Sequence, residues 1–350
     1  MPSRAQGVDV RRPPGENESG LSRVVGPGPV WRRGPQSRVS EGSSLTQFSK
    51  FRVFVLGTAA LIAAAGSASA QDGGEAISLK SVADGKTIAG SYYAPRGGGA
   101  AESEDAPVVI LIHGETDDRL VWERKPTSVD GKPAADVLSG AGFAVVTIDM
   151  RGYGESKEAG SRRPNPNAML GDLEAVKQFL MEKHEKKELN INKLGIVAAG
   201  DFAPIAAAYA EYDWKKPDYD DALSPAERTP RGRDVQALVL LSPAAAVGRT
   251  KTGTALRTLT DPRAGVGVFI INGSDDPRNR GVASDLGRTI QHDKDPQDNK
   301  YFHEYETAFH GTDLVGQRGL MTEREMFGFL SKYLKDLDKP WVDRRSKLSR

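Results

Sequence analysis

The chain has 350 residues, of which 27% are charged and 38% hydrophobic, enough for one sizeable globular domain with additional segments. Its 48 basic and 47 acidic side chains leave a net charge of +1, so neither nucleic acid nor an anionic membrane has an electrostatic claim as the main partner. The absence of cysteine excludes disulfides, cysteine nucleophiles and thiolate metal sites.

Residues 1–49 are rich in Arg, Gly, Pro and Ser without hydrophobic periodicity. They are expected to be a disordered extension or the product of a misassigned start, with Val39 or Leu45 as alternative starts. Lys50-Phe51-Arg52 then precede an apolar run from Val53 to Ala65, and Ala68-Ser69-Ala70 offers a small-residue cleavage site before Gln71. Residues 50–70 therefore read as a secretory signal peptide cleaved after Ala70, which predicts export to the periplasm or the medium. The apolar run is shorter than the ~20 residues of a membrane-spanning helix, so no stable span is expected after cleavage.

From residue 71 onward the pattern is that of one domain. Glu75 to Ser81 and Lys86 to Tyr93 alternate as strands around an Asp84-Gly85 turn, which suits a hairpin. Short Val/Ile/Leu-rich runs follow at Pro107 to His113, Phe143 to Asp149, Lys193 to Ala198, Ala237 to Ser242 and Val266 to Asn272, with a last strand at Tyr301 to Glu306. Such runs suit a parallel sheet covered on both faces. Helical stretches at Ala134 to Ser139, Leu170 to Lys186, Pro204 to Tyr212, Gly281 to His292 and Met321 to Leu337 supply the crossovers. The predicted fold class is α/β, a doubly wound, mostly parallel sheet with helices on both faces and its ligand edge at the carboxyl ends of the strands.

Polar residues gather at that edge. His113-Gly114-Glu115 closes the first buried strand and Asp149-Met-Arg-Gly-Tyr-Gly-Glu-Ser156 the second, the latter punctuated by glycines that let a backbone approach closely. The third strand runs through Lys193-Leu-Gly-Ile-Val-Ala-Ala-Gly-Asp-Phe-Ala-Pro into a helix of small residues. This strand, turn and helix have the layout of a nucleophile elbow, and with the other turns and the element order they resemble the α/β-hydrolase superfamily over residues 76–337. The resemblance is nearest to its small exported esterase, lysophospholipase-like and dienelactone-hydrolase-like members, without a large cap domain.

The resemblance implies a site. His113-Gly114 matches the oxyanion turn, making the backbone N–H near Glu115 the first donor and that of the residue after the nucleophile the second. Gly273-Ser-Asp-Asp-Pro277 matches the turn of the catalytic acid, with Asp276 in place and Asp275 as a near alternative, and Ala308-Phe-His-Gly311 puts His310 at the position of the base. His113 is expected to pack beside the oxyanion turn, His184 to lie in the charged face of a helix, His292 near a helix end, and His303 to alternate within a strand. No cofactor is implied. HExxH is absent, and Asp218 to Asp221 lack the ligand order of a calcium loop and are expected to be solvated surface.

The nucleophile departs from the pattern. Counted from Gly195, the serine position falls on Gly200, with Asp201 following and Phe202 where a small residue is usual. A one-residue shift puts Asp201 at the tip, as in relatives that attack through aspartate. Such relatives are dehalogenases and epoxide hydrolases, whose caps have no counterpart in the 23 residues between Ser242 and Val266, unless residues 212–235, with Trp214 and Tyr219, fold over the site. Ser242 ends the following strand and Ser156 follows the Arg-Gly-Tyr-Gly turn, and both are expected to satisfy local backbone groups. Two functions follow: a non-catalytic relative that binds a small molecule, polymer or protein, or an exported hydrolase of ester-type, epoxide or haloalkane substrates using Asp201, Asp276 and His310.

Overall fold

The buried apolar runs form the middle of one eight-stranded sheet. In a computed structural model, which describes residues 73–97, 103–160, 165–291 and 299–349, the strands are β1 (Glu75–Lys80), β2 (Thr87–Tyr93), β3 (Val108–Ile112), β4 (Ala144–Ile148), β5 (Leu194–Ala199), β6 (Val235–Leu241), β9 (Gly267–Gly273) and β10 (Lys300–Tyr305). The proposed extension and signal peptide lie outside the described residues. The spatial order is β1-β2-β4-β3-β5-β6-β9-β10. The hairpin β1–β2 is antiparallel, β2 meets β4 antiparallel, and every remaining pair is parallel. A two-stranded ribbon, β7 (Ala246–Val247) and β8 (Thr250–Lys251), follows β6 and has no signature in the sequence long enough to read.

Register brings the carboxyl ends of the parallel strands to one edge. Ile112 lies opposite both Ile148 and Ala198, Ala199 opposite Leu241, and Leu241 opposite Ile271. Side chains alternate between two apolar layers. Val108, Ile110 and Ile112 face one, while Val109 and Leu111 face the other.

The helices α1 (Leu120–Arg124), α2 (Ala134–Gly140), α3 (Pro166–Glu185), α4 (Ala203–Lys215), α5 (Thr252–Leu259), α6 (Val282–Gln291) and α7 (Thr322–Leu330) supply the two layers. Helix α3 starts four residues earlier than its hydrophobic run suggests, because Asn165 caps it by accepting the Ala168 N–H at 3.3 Å and Pro166 occupies the first turn. Helix α7 ends at Leu330, and the chain continues through residues 331–335 as a wider π-helical turn. Helices α1 and α5 are additional to the expected set, both too short for periodicity to reveal.

Helix α4 governs what can reach the carboxyl edge. It packs Ala203, Ala206, Ala207 and Ala210 into the core and runs antiparallel to β5, returning the chain to the amino ends of the strands. Trp214 Nε1 consequently donates to Val235 O at 2.8 Å, at the start of β6. The segment 212–235 therefore lies at the edge opposite the expected site and is no cap. Buried beside it are Lys177, Asp213, Asp234 and Arg344, joined as ion pairs, with Arg344 also donating to Pro230 O and Gly232 O.

The same C-terminal tail corrects the reading of His184. This imidazole is fully buried, with Nε2 2.9 Å from Val342 O and its ring 5.0 Å from that of Trp341. The tail covers a helix face that the surrounding Lys and Glu residues made to look solvated. Among the described residues no helix is long and apolar enough to cross a membrane.

Candidate active site

The turn after β5 is tight because Gly200 adopts φ +53°, a left-handed backbone that favours glycine. Its carbonyl accepts the Ala244 N–H at 3.1 Å, which ties the turn to the strand end beyond β6. A second left-handed glycine, Gly311 at φ +53°, seats the loop after β10 against it, where an added Cβ would lie 3.5 Å from Ala199 Cβ. Beyond β9, Gly273 has no room for a side chain, since a Cβ there would stand 2.8 Å from Phe309 O. These close backbone approaches fix the relative positions of three turns before any polar side chain is considered.

Asp276 and His310 meet across that junction. Asp276 Oδ1 accepts the backbone N–H groups of Arg278 at 2.9 Å and Asn279 at 3.2 Å, which orients the carboxylate. Its Oδ2 then accepts His310 Nδ1–H at 2.6 Å. Asp276 is buried and Asp275 is exposed, so Asp276 alone is the histidine's partner.

The other ring nitrogen faces Glu115, whose Oε1 lies 3.2 Å from His310 Nε2. Glu115 Oε2 accepts the Asp201 N–H at 3.2 Å. Arg278 Nη1 approaches Oε1 at 3.4 Å from the solvent side. A Cβ built on Gly200 would overlap Glu115 Oε2 and stand 3.2 Å from His310 Nε2. The Glu115 carboxylate thus occupies the space that a side chain at Gly200 would need.

The charges follow from this geometry. The hydrogen bond from His310 holds the Glu115 carboxyl down at about 2 against the resistance of partial burial. The Glu115 Oε1 contact with Nε2 is an ion pair when the ring is protonated, and with Nδ1 donating to Asp276 the two flanking carboxylates favour that charged form. Burial opposes that charge, but the bonds to Glu115 and Asp276 outweigh it and raise the His310 pKa.

His113 supports the turn that carries Glu115. It is fully buried, accepts the Met150 N–H on Nε2 at 3.0 Å and donates from Nδ1 to Gly114 O at 2.6 Å. Burial lowers its pKa and keeps it neutral, which this pairing requires. Its ring meets Phe202 and Tyr153, each at 5.3 Å between centroids, and Phe202 meets Tyr153 at the same distance. Phe202 therefore fills space beneath the oxyanion turn, which is how a bulky residue is accommodated after the elbow.

Comparison with known proteins supplies the fold's name. The model of the α/β-hydrolase fold family matches residues 107–192, the segment from β3 to the residues before β5. An esterase from Pyrococcus furiosus superposes with a TM-score of 0.52 at 12% identity, covering 75% of this chain and 91% of that one. An acylaminoacyl peptidase from Pyrococcus horikoshii gives 0.50 at 12% identity over 77% of this chain and 43% of that one. The chain has the α/β-hydrolase fold. A dienelactone hydrolase from Anabaena variabilis is similar at 17% identity over 74% of this chain and 97% of that one, with a TM-score of 0.48. No curated protein matches the chain significantly in sequence.

Within this α/β-hydrolase fold, His113, Gly114, Glu115, Gly200, Phe202, Asp276 and His310 come together at the carboxyl edge. Asp201 contributes its backbone N–H, but its side chain is exposed and makes no hydrogen bond to His310 among the described residues. Ser156 is buried and its Oγ accepts the Ala89 N–H at 2.9 Å, as a structural residue. Ser242 behaves otherwise than expected: it is buried at φ +44°, and its Oγ has no partner among the described residues. His303 pairs with Glu325 at 2.7 Å. His292 lies outside the described residues.

Asp218 and Asp220 pair with Arg233 and Arg228, while Asp221 accepts the backbone N–H groups of Thr229 and Lys347. Among the described residues no group of acidic residues and histidines is arranged to hold a metal. Sequence reasoning missed the Glu115 side chain and Arg278. The only signal was an acidic residue directly after the His-Gly pair in a chain whose elbow carries glycine.

Proposed function

We propose that this protein is an exported α/β-hydrolase-fold protein that performs no serine-type hydrolysis and uses its retained His310–Asp276 pair and backbone donors for binding. One observation carries this reading: the carboxylate of Glu115 stands where the nucleophile's side chain would be. Covalent acyl transfer needs three things at this edge, namely a nucleophile, a neutral base and an unoccupied oxyanion hole. Gly200 offers no nucleophile. His310 stands between two carboxylates that favour its protonated form, in which it has no lone pair to accept a proton. The Asp201 amide already donates to a carboxylate oxygen. The signal-peptide pattern of residues 50–70 supports export.

The test is to measure p-nitrophenyl acetate hydrolysis by the full chain, by Gly200→Ser, and by Gly200→Ser combined with Glu115→Ala. Wild type should give no turnover, and the double variant should exceed it by ~10²-fold or more, the scale of a restored general base. Adding His310→Ala to the double variant should abolish the gain. Wild-type turnover that disappears in His310→Ala would overturn the reading. Hydrolysis through Asp201 is the second reading, and its exposed carboxylate without a bond to His310 is the observation against it.

A further inference from the structure

The arrangement around Glu115 is that of a bound carboxylate. Its two oxygens are met by the Asp201 backbone N–H, the His310 imidazole and the Arg278 guanidinium. The charged partners add directional, charge-assisted bonds to the one from this amide. We propose that this is a monocarboxylate-binding site that Glu115 keeps closed until a ligand carboxylate displaces it. The inference rests on the non-catalytic reading, because a hydrolytic site would release this group as product.

Three features separate the Glu115 carboxylate from the rest of the site and make exchange feasible. Glu115 sits on a turn, its side chain is 23% exposed, and the Arg278 side chain reaching it is 52% exposed. The remainder of the cradle is rigid by contrast: Asp276 is buried, and His113 pins the turn to Met150. A departing Glu115 therefore leaves behind the Asp201 amide, the His310 imidazole and the Arg278 guanidinium, with the Asp201 carboxylate as the nearby negative charge an incoming acid must tolerate. An incoming carboxylate would restore every one of those bonds. Glu115 competes intramolecularly, with an effective concentration on the order of millimolar or above. A simple acid should therefore bind wild type weakly, and a natural ligand must add contacts beyond its carboxylate.

The experiment follows the His310 ring resonances of the full chain by NMR during titration with acetate, hexanoate and N-acetylalanine, with methyl acetate as the uncharged control. Glu115→Ala should bind acetate with a dissociation constant of about 1–10 mM, at least about tenfold tighter than wild type. Arg278→Ala in that background should weaken binding several-fold, and methyl acetate should have no effect. Tighter binding of hexanoate would identify an alkyl acid as the ligand type, and of N-acetylalanine a peptide C-terminus. If Glu115→Ala does not fold, Glu115→Ser, which also removes the carboxylate that fills the cradle, decides the same question. Absence of any acetate-dependent shift in a folded Glu115 variant up to about 0.1 M overturns the proposal. Ester turnover recorded on the same wild-type sample separates failure of the non-catalytic reading from failure of carboxylate binding.

Discussion

Glu115 and His310 form an ion pair at 3.2 Å in the space left open by the glycine at position 200. With Asp276 at 2.6 Å on the opposite ring nitrogen, one imidazole stands between two carboxylates. Charge and shape are thereby coupled at this site, and each can be perturbed separately.

The pair should give stability a definite pH window. Glu115 is lowered from 4.5 to about 2, so its contribution is complete above the ordinary value and is lost as pH falls toward 2. His310 is raised from 6.5, so its contribution is complete below that value and is lost as pH rises through the raised one. The difference in thermal midpoint between wild type and Glu115→Gln should therefore be largest near about pH 5.5 and shrink on either side. A difference that stays constant from about pH 4 to about pH 9 would contradict the pairing.

Gly200→Ala tests the shared space without adding a nucleophile. The new Cβ overlaps the Glu115 carboxylate, and φ +53° is unfavourable for alanine. The backbone alone should cost ~1–2 kcal/mol in chemical denaturation, and displacement of Glu115 should move the His310 titration toward its ordinary value. A variant with an unchanged His310 titration would show that the two groups do not compete.

Asp201→Asn should leave stability nearly unchanged, within ±0.5 kcal/mol as roughly expected of an exposed site. In His310→Ala, incubation with 1-bromohexane or 1,2-epoxyhexane should leave the intact mass unaltered. An alkyl ester mapped to Asp201 by peptide mass analysis would instead establish aspartyl attack.

At the opposite edge, Arg344→Ala should cost about 3 kcal/mol, because it strips a buried carboxylate of one of its two cations. Asp234 would keep only Lys177, and the carbonyls of Pro230 and Gly232 would lose their donors. Urea denaturation measures this directly. A loss below ~0.5 kcal/mol would mean that the tail contributes little to the fold.

Much of this was legible before any coordinates. The runs of Val, Ile and Leu in β3, β4, β5, β6 and β9 could only be strands buried on both faces, the turns after β3, β5 and β9 carried His113, Gly200 and Asp276, and the loop after β10 carried His310. Gly200 in place of a hydroxyl-bearing residue was equally plain, because it concerns identity at one position of a local motif. Short elements such as α1, α5 and the β7–β8 ribbon were illegible, since two to eight residues establish no period. His184 was misleading for another reason: its neighbours along the helix are charged, and only the returning tail buries it.

By itself, then, the amino-acid order determined the strand and helix succession, the edge at which polar turns collect and the absence of a side chain at the elbow, all of which depend on local pattern. What fills that absence is a tertiary matter. Glu115 lies 85 residues before Gly200, and nothing local directs its carboxylate into the elbow rather than into water. Sheet register and the close packing of three glycine-containing turns bring the Asp201 amide, His310 and Arg278 around one point, and an anion at that point satisfies donors that would otherwise face one another unpaired.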